Sequence, residues 1–511
     1  MGLSGHVDRP GYAGGRMSGR RAAAKGGRTG RADTDGGIPE ASGAAGAPGI
    51  PAQRGGRAEL RRSRRGGRRR ILKIAGLSTA GVVLVAGGGV GYLYMHLAGN
   101  IKTSQLFTGT DKKDAVGVEI PNKFGQTPLN VLLIGSDTRD TKTDCDLGGA
   151  CATNGSGANA DVEMLVHLSA DRSNISVMSI PRDLETELPA CTDPANGTST
   201  GEHFGQINSS LQYGPACTDM AVHKLTGITV DDFAMVDFGG VVNISNALGG
   251  VDVCVNSNMY DINSGLKLTE GTHSLKGVAA LQFLRTRDSF GDGSDNVGRT
   301  SATHIFFTDM INKLKNAGTI SDVPAMYTIA NAATKSLTVS PDLDTPLKLI
   351  SLAQQLNKVP TDRITFATMQ NVDDQHDSHV TEGPQASVLF EAIANDQSLT
   401  TASGASSGAG SVPAPTSAAG SRSGSTSGSK STGSAPPAHT AGQSGSSPAP
   451  ADTAAALNGT FSQNAGQSKC VDVSKDYTEN KLGLPTATWN SPGETPQEMF
   501  QIYSSRPNSA P

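Results

Sequence analysis

Apolar and polar positions along the chain fall into short apolar runs alternating with longer amphipathic stretches. The continuous apolar run at 129–135, closed by Gly135, predicts a buried strand. Similar runs at 162–168, 175–180, 233–238, 251–255 and 363–369 predict five more. Helical spacing predicts helices over 218–227, with Thr218 as N-cap and Gly227 as stop, and between Gly239-Gly240 and Gly249-Gly250. Further helices are expected at 277–284, 300–315, 323–335, 345–357 and 385–396. Strands and helices alternating at these lengths imply an α/β domain spanning 126–398, a central mixed sheet covered by helices.

The flanks read differently. From Ile74 to Met95 no residue carries a formal charge, and 71–98 is therefore expected to be one transmembrane helix. Residues 61–70 hold seven arginines, so the positive-inside rule keeps the N-terminus cytoplasmic and puts the main domain outside the plasma membrane. A cleaved signal peptide is the alternative, but the run is long for one and no clear A-x-A follows it. Residues 1–70 read as a disordered basic cytoplasmic arm, 99–125 as an extracytoplasmic spacer and 399–453 as a Ser/Gly/Pro-rich linker. The tail at 454–511 has few apolar positions besides Cys470 and Trp489, and is expected to be weakly structured.

Charge sharpens this division. The formal net charge is −4, yet residues 1–70 carry sixteen Lys/Arg against five Asp/Glu, a net +11 that leaves −15 for the rest. The basic arm lacks interleaved aromatics, so attraction to anionic membrane lipid is expected rather than specific nucleic-acid binding. All six cysteines (Cys145, Cys151, Cys191, Cys217, Cys254 and Cys470) follow the apolar span, as export into a disulfide-permissive space requires. Cys145 can pair with Cys151 and Cys191 with Cys217, although spacing alone leaves connectivity open. No Cys-x-x-Cys occurs, which argues against zinc.

The candidate chemistry lies between Asn130 and Arg299. Five of the six arginines there (Arg139, Arg182, Arg285, Arg287 and Arg299) stand at the ends of apolar runs or in a Gly/Asp-rich loop, as do Asp137 and Asp161. Guanidinium forks match paired phosphate oxygens, and carboxylates hold a magnesium ion that shares the same charge. Together they point to a diphosphate site. Singly, each residue has a plainer reading: a surface ion pair for an arginine, a turn or cap for an aspartate. The stretch Asp292–Asn296 has the wrong ligand order for a calcium loop and reads as a solvated turn. His167, inside an apolar strand, reads as packed or hydrogen-bonded.

The run Asn130-Val-Leu-Leu-Ile-Gly-Ser-Asp137-Thr-Arg139 resembles the opening motif of the LytR-CpsA-Psr family of Gram-positive cell-envelope proteins. Asp161-Val-Glu-Met-Leu-Val-His167, Ser179-Ile-Pro-Arg182-Asp183, Gln206-Ile-Asn208, Ala280-Leu-Gln-Phe-Leu-Arg285-Thr-Arg287 and Gly298-Arg299 follow in the family's order. The resemblance implies a magnesium-dependent phosphotransferase. It would move an anionic glycopolymer from a polyprenyl-pyrophosphate carrier to peptidoglycan as a phosphodiester. It also implies roles: Asp137 and Asp161 on the metal, and Arg139, Arg182, Arg285, Arg287 and Arg299 on the pyrophosphate. Asp183 would orient Arg182, with Asp161, Arg182 and Arg139 at the reacting centre. Gln206 stands where the family often has Lys or Arg, and Thr303 where it often has Gln. The rival expectations are a non-catalytic polyprenyl-phosphate-binding protein, a transcriptional regulator and a lipid pyrophosphate hydrolase.

Overall fold

The computed structural model describes residues 87–109, 111–119, 121, 124–138, 142–148, 158–287, 289–291, 298–316, 323–373, 379–400, 457, 462–467, 469–475 and 495–510. The chain divides into two units, Met1–Ala80 and Gly81–Pro511, and everything described belongs to the second. The basic arm, the first part of the expected membrane span, Arg139 and the Asp292–Asn296 stretch lie outside the described residues, as does the linker beyond residue 400.

Eight strands form the central sheet in the order β1-β14-β9-β2-β3-β4-β15-β18. They are β1 (Lys102–Thr103), β2 (Leu129–Ser136), β3 (Ala160–Leu168), β4 (Ile175–Ile180), β9 (Asp232–Val236), β14 (Leu337–Val339), β15 (Ile364–Thr368) and β18 (Ser462–Asn464). Four small ribbons pair β5 (Glu185–Leu188) with β8 (His203–Gln206), β6 (Cys191–Thr192) with β7 (Ser199–Thr200), β10 (Val251–Val255) with β13 (Gly271–Leu275), and β11 (Met259–Tyr260) with β12 (Lys267–Leu268). A fifth joins β16 (Asn371–Asp373) to β17 (Val380–Glu382). The helices are α1 (87–98), α2 (Lys112–Val116), α3 (Lys142–Gly148), α4 (Pro215–Thr226), α5 (Phe238–Ala247) and α6 (Val278–Arg285). They continue as α7 (Gly298–Asn316), α8 (Val323–Ser336), α9 (Pro346–Lys358), α10 (Ala386–Ala394) and α11 (Pro496–Ile502).

The sheet is mixed, as expected. β2 and β4 run antiparallel to β3, whereas β2–β9 and β4–β15 are parallel pairs. Strand alternation divides the core into two faces. Leu132, Ile134, Leu165, Met178 and Ile180 pack with Ala221 and Val222 of α4 and with Leu389 and Ile393 of α10. Met164, Val166, Val177 and Phe366 face the other way, against Phe307 and Ile311 of α7 and Leu352 and Leu356 of α9. His167 is satisfied inside this core: Nδ1 lies 2.7 Å from Asn130 Oδ1 and Nε2 3.0 Å from Asp396 Oδ1.

Two local expectations change. Helix α4 begins at Pro215, which needs no backbone N–H at that position, so Thr218 lies inside the first turn and accepts from Ser210 Oγ at 3.0 Å. Gly227 does stop the helix, in the left-handed conformation, with its N–H on His223 O. The described part of the tail is not weakly structured. β18 adds to β15, Cys254 is bonded to Cys470, and Val471, Val473 and Ala510 join a cluster with Val253, Phe283 and Phe306. Too apolar-poor for a core of its own, the tail completes one belonging to the domain. Among the described residues no helix is long and apolar enough to cross a membrane.

Glu163 and Asp219 are buried with no hydrogen-bond partner for either carboxyl among the described residues. Burial raises the pKa of Glu163 well above its ordinary value, and burial with the nearby Asp232 and Glu163 does the same to Asp219. Raised folded-state values mean stability that is complete below the unfolded values near 4 and lost as pH climbs through the folded ones. Glu163→Gln is therefore expected to raise the thermal midpoint, relative to the parent, by about 3 °C or more at pH 8 and by much less at pH 4. Melting curves of both proteins across that range test this, and a pH-independent difference would sink it.

Candidate functional site

The site is built where β2, β3 and β4 end. Glu163 pairs with Ile180 at the end of the β3–β4 ladder, and Asp161 and Arg182 lie just beyond that pair. Arg182 Nη1 donates to Asp161 Oδ1 at 2.7 Å, and its Nε donates to Asp183 Oδ2 at 3.1 Å. Asp183 thus accepts from one edge of the guanidinium while Nη1 turns to Asp161. Arg287 brings Nη2 to 3.9 Å from the same Asp161 oxygen.

A bulge aims Asp161. Gly135 pairs with Val162 but Ser136 with Ala160, so Asp161 is the extra residue of β3 and stands out of the ladder. Asp137 follows on β2. Its backbone N–H donates to Asn159 O, and its Oδ1 accepts from Asn159 N at 2.6 Å.

Arg299 is the second residue of α7. It is buried, and with Asp161, Arg182, Ser179 and Thr303 it lines a small crevice at the strand ends. Ser179 Oγ is 2.7 Å from His304 Nε2. Burial pushes the pKa of His304 down to about 3, so the imidazole is neutral near pH 7 and adds no charge beneath the crevice. Sequence reasoning passed over Ser179 and His304 as functional candidates. The signal for Ser179 was its alternation with Pro181 on the face of β4 turned toward α7.

Arg182, Arg287 and Arg299 therefore gather around Asp161. Arg285 does not join them through its described contacts. Its Nη1 donates to Leu147 O at 2.8 Å, and its guanidinium lies 4.9 Å from the Phe238 ring centroid, which turns it toward α3 and α5. The cause is phase: Arg285 is the last helical residue of α6, whereas Arg287 follows the extended Thr286. Arg139 lies outside the described residues.

Among the described residues no three His, Cys, Asp or Glu side chains are grouped as a metal cage. Asp137 and Asp161 are hard oxygen donors at neighbouring strand ends, the kind of group a magnesium ion would need, although Asn159 already donates to both oxygens of Asp137. Asp161 meets both arginines through Oδ1.

Beside the crevice lies an apolar cavity of about 510 Å³ between the sheet and helices α7, α8 and α9. Val166, Val177 and Phe366 form its floor, and Phe307, Ile329, Ala330 and Leu356 its walls. Met164 lines both spaces, so the charged and apolar parts meet at one residue of β3. Arg299, Thr303, Phe307, Ile311 and Leu314 recur every three or four residues along α7, running from the crevice into the cavity. Leu97 of α1 also reaches the cavity.

Fold and site together define an α/β domain with an arginine-lined crevice beside a partly open apolar cavity. The chain belongs to the LytR_cpsA_psr family, whose model matches residues 92–395. The cell wall biosynthesis protein LcpA of Corynebacterium glutamicum is 26% identical over 309 residues, covering 56% of this chain and 58% of that protein. The probable cell wall biosynthesis protein LcpB of the same organism is 30% identical over 213 residues, covering 41% of this chain and 48% of that protein. This chain thus matches only about half the length of these two relatives. The polyisoprenyl-teichoic acid–peptidoglycan teichoic acid transferase TagT of Bacillus subtilis is 23% identical over 317 residues, covering 60% of this chain and 89% of that protein. Among solved structures, a LytR-Csp2A-Psr enzyme from Actinomyces oris aligns with a TM-score of 0.43 at 19% identity, covering 57% of this chain and 96% of that one.

Gly298, just before Arg299, has no room for a side chain: a Cβ there would stand 2.0 Å from Phe290 O. Gly298→Ala is expected to destabilise the domain by about 1–3 kcal/mol as α7 shifts to relieve the clash. A lowered denaturant midpoint at unchanged slope checks this, and an unshifted midpoint would refute the tight packing.

Proposed function

We propose that this protein transfers an anionic glycopolymer from a polyprenyl-pyrophosphate carrier to peptidoglycan. One observation carries the reading: a crevice lined by Asp161, Arg182 and Arg299 shares Met164 with an apolar cavity. A ligand with a diphosphate head and a hydrocarbon tail matches both parts at once. The transferase relatives support the same class of reaction.

In the reaction, a peptidoglycan sugar hydroxyl attacks the glycan-bearing phosphorus. A P–O bond forms to that hydroxyl, the bridging P–O bond breaks, polyprenyl phosphate leaves, and the hydroxyl proton passes to water. Arg182 and Arg287 face the diphosphate from the Asp161 side and Arg299 from the start of α7. Together they neutralise charge on the departing phosphate in a setting partly closed to water. Asp183 holds Arg182 edge-on, and Asp161 keeps the guanidinium groups together before the donor arrives. A magnesium ion held by Asp137 and Asp161 would add positive charge where negative charge develops. The cavity takes the first part of the polyprenyl chain.

The same reading puts the domain on the outer face of the plasma membrane, anchored by the apolar stretch at 71–98 with the basic arm inside. Leu97 lining the cavity supports it, since the expected membrane span then ends where the lipid would enter.

Transfer is measured with the full chain in detergent, a polyprenyl-pyrophosphate-linked glycan and peptidoglycan fragments, following both polyprenyl phosphate and the phosphodiester product. Asp161→Asn and Arg182→Ala are each expected to lower kcat about a hundred- to a thousandfold with the thermal midpoint retained. Unchanged turnover in either variant would remove the site assignment. Polyprenyl phosphate released without a joined product would mark a hydrolase, and binding without release a carrier protein. Ala330→Trp, which fills the cavity, is expected to raise KM about tenfold for a long-chain donor and to leave a short-chain one nearly unchanged. Equal effects on the two would show that the chain lies elsewhere.

A further inference from the structure

Beyond the matched family region, the tail returns to the arginine-bearing segment. Ser474 N donates to Ser289 O at 2.9 Å and Gly291 N donates to Asp472 O at 2.8 Å, with Phe290 bridged antiparallel to Val473. Ser289–Gly291 is the stretch between Arg287 and the start of α7, so the tail grips the chain connecting two of the three gathered arginines. Its own position is fixed from the other side. Cys470 is bonded to Cys254 of β10, Val471 N donates to Cys254 O, and Asn256 N donates to Val471 O. Asn256 also accepts from Val473 N at 2.8 Å and donates from Nδ2 to Asp472 Oδ1 at 2.7 Å.

A second hold acts through the β11–β12 ribbon. Thr286, between Arg285 and Arg287, shares a 2.7 Å hydrogen bond with Ser264, and Ser289 Oγ donates to Asp261 Oδ2 at 2.7 Å. The ribbon is in turn clasped by the end of the chain. Lys267 Nζ donates to Tyr503 O at 2.9 Å, Ser504 O at 3.2 Å and Arg506 O at 2.6 Å, while Tyr260 packs on Tyr503 with ring centroids 4.9 Å apart. These backbone carbonyls follow α11 and have one buried ammonium to share.

We propose that the tail, tied by the Cys254–Cys470 disulfide, is a brace that sets Arg287 and Arg299 in position against Asp161. Cys254, Cys470 and Asn256 are positioning residues: they touch no donor and act through the Arg287–Arg299 segment. The inference rests on reading the crevice as the pyrophosphate clamp. Three guanidinium groups repel one another, so a segment carrying two of them drifts outward unless it is held.

The test uses the full chain in detergent, with Cys254→Ser/Cys470→Ser and separately Asn256→Ala. Hydrogen–deuterium exchange is read on peptides covering Arg287–Gly291, with β3 as control, and affinity is measured by titration with farnesyl pyrophosphate. Losing the brace should speed exchange at Arg287–Gly291 about tenfold with β3 unchanged. It should also weaken farnesyl pyrophosphate binding about tenfold and raise the donor KM with kcat held within about twofold. A double-mutant cycle of Asn256→Ala with Arg287→Ala should be non-additive. Unchanged exchange in both variants overturns the brace, and so does faster exchange with unweakened binding. If the cysteine pair fails to fold, Asn256→Ala decides. A parent protein that binds no farnesyl pyrophosphate counts against the clamp reading itself, and the exchange result alone then decides the brace.

Discussion

One carboxylate holds the site together. Asp161 Oδ1 receives Arg182 at 2.7 Å and Arg287 at 3.9 Å, while Arg299 lines the same crevice. Cationic side chains brought this close repel strongly where water is partly excluded, so the cluster needs a counter-charge before any anion arrives. Asp161 supplies it only because the bulge between β2 and β3 lifts it out of the ladder. On a regular strand its neighbours would have kept it in register with β2.

The sheet divides the remaining work between its faces. Toward α4 and α10 it packs a continuous apolar core in which Glu163 and Asp219 are the costly exceptions. Toward α7, α8 and α9 the side chains of Met164, Val166 and Val177 leave about 510 Å³ unfilled. A void of that size forfeits dispersion contacts that close packing would have gained, and selection for stability alone would fill it. An apolar cavity retained next to a charged crevice makes sense for a ligand that is greasy at one end and anionic at the other. Helix α7 links the two by carrying Arg299 at its start and Phe307, Ile311 and Leu314 further along.

Much of this was legible in the sequence, for identifiable reasons. The central strands are buried on both faces, so they read as near-continuous apolar runs, and their ends placed Asp161 and Arg182. Arg182 and Asp183 needed only one strand pair to be interpreted. Arg285 and Arg287 were harder, since their spacing gives one direction on a strand and two on a helix. The helix ends between them, so they part. The ribbons around β5–β8 and β11–β12 are two to four residues per strand and carry no periodicity to detect. The tail was misjudged because pattern reasoning asks whether a segment can bury a core of its own. Val471 and Val473 bury themselves in someone else's.

That last point bears on where the domain ends. The family match stops at residue 395, yet β18 lies at the edge of the central sheet and covers a flank of β15 that would otherwise be an open strand. Leu457 sits in the same cluster as the α10 residues, and Val471 and Val473 in the same cluster as Phe283 and Phe306. A segment joined through Ser/Gly/Pro-rich sequence pays a small entropic cost to return, since closure entropy grows only with the logarithm of loop length. The disulfide from Cys254 to Cys470, 216 residues apart in sequence, removes most of that freedom from the unfolded chain instead. The physical domain thus extends past the recognisable one: the added part packs through Ala465 on the face of the sheet turned toward α7 and α9, and through Asp472–Ser474 on the stretch that follows Arg287.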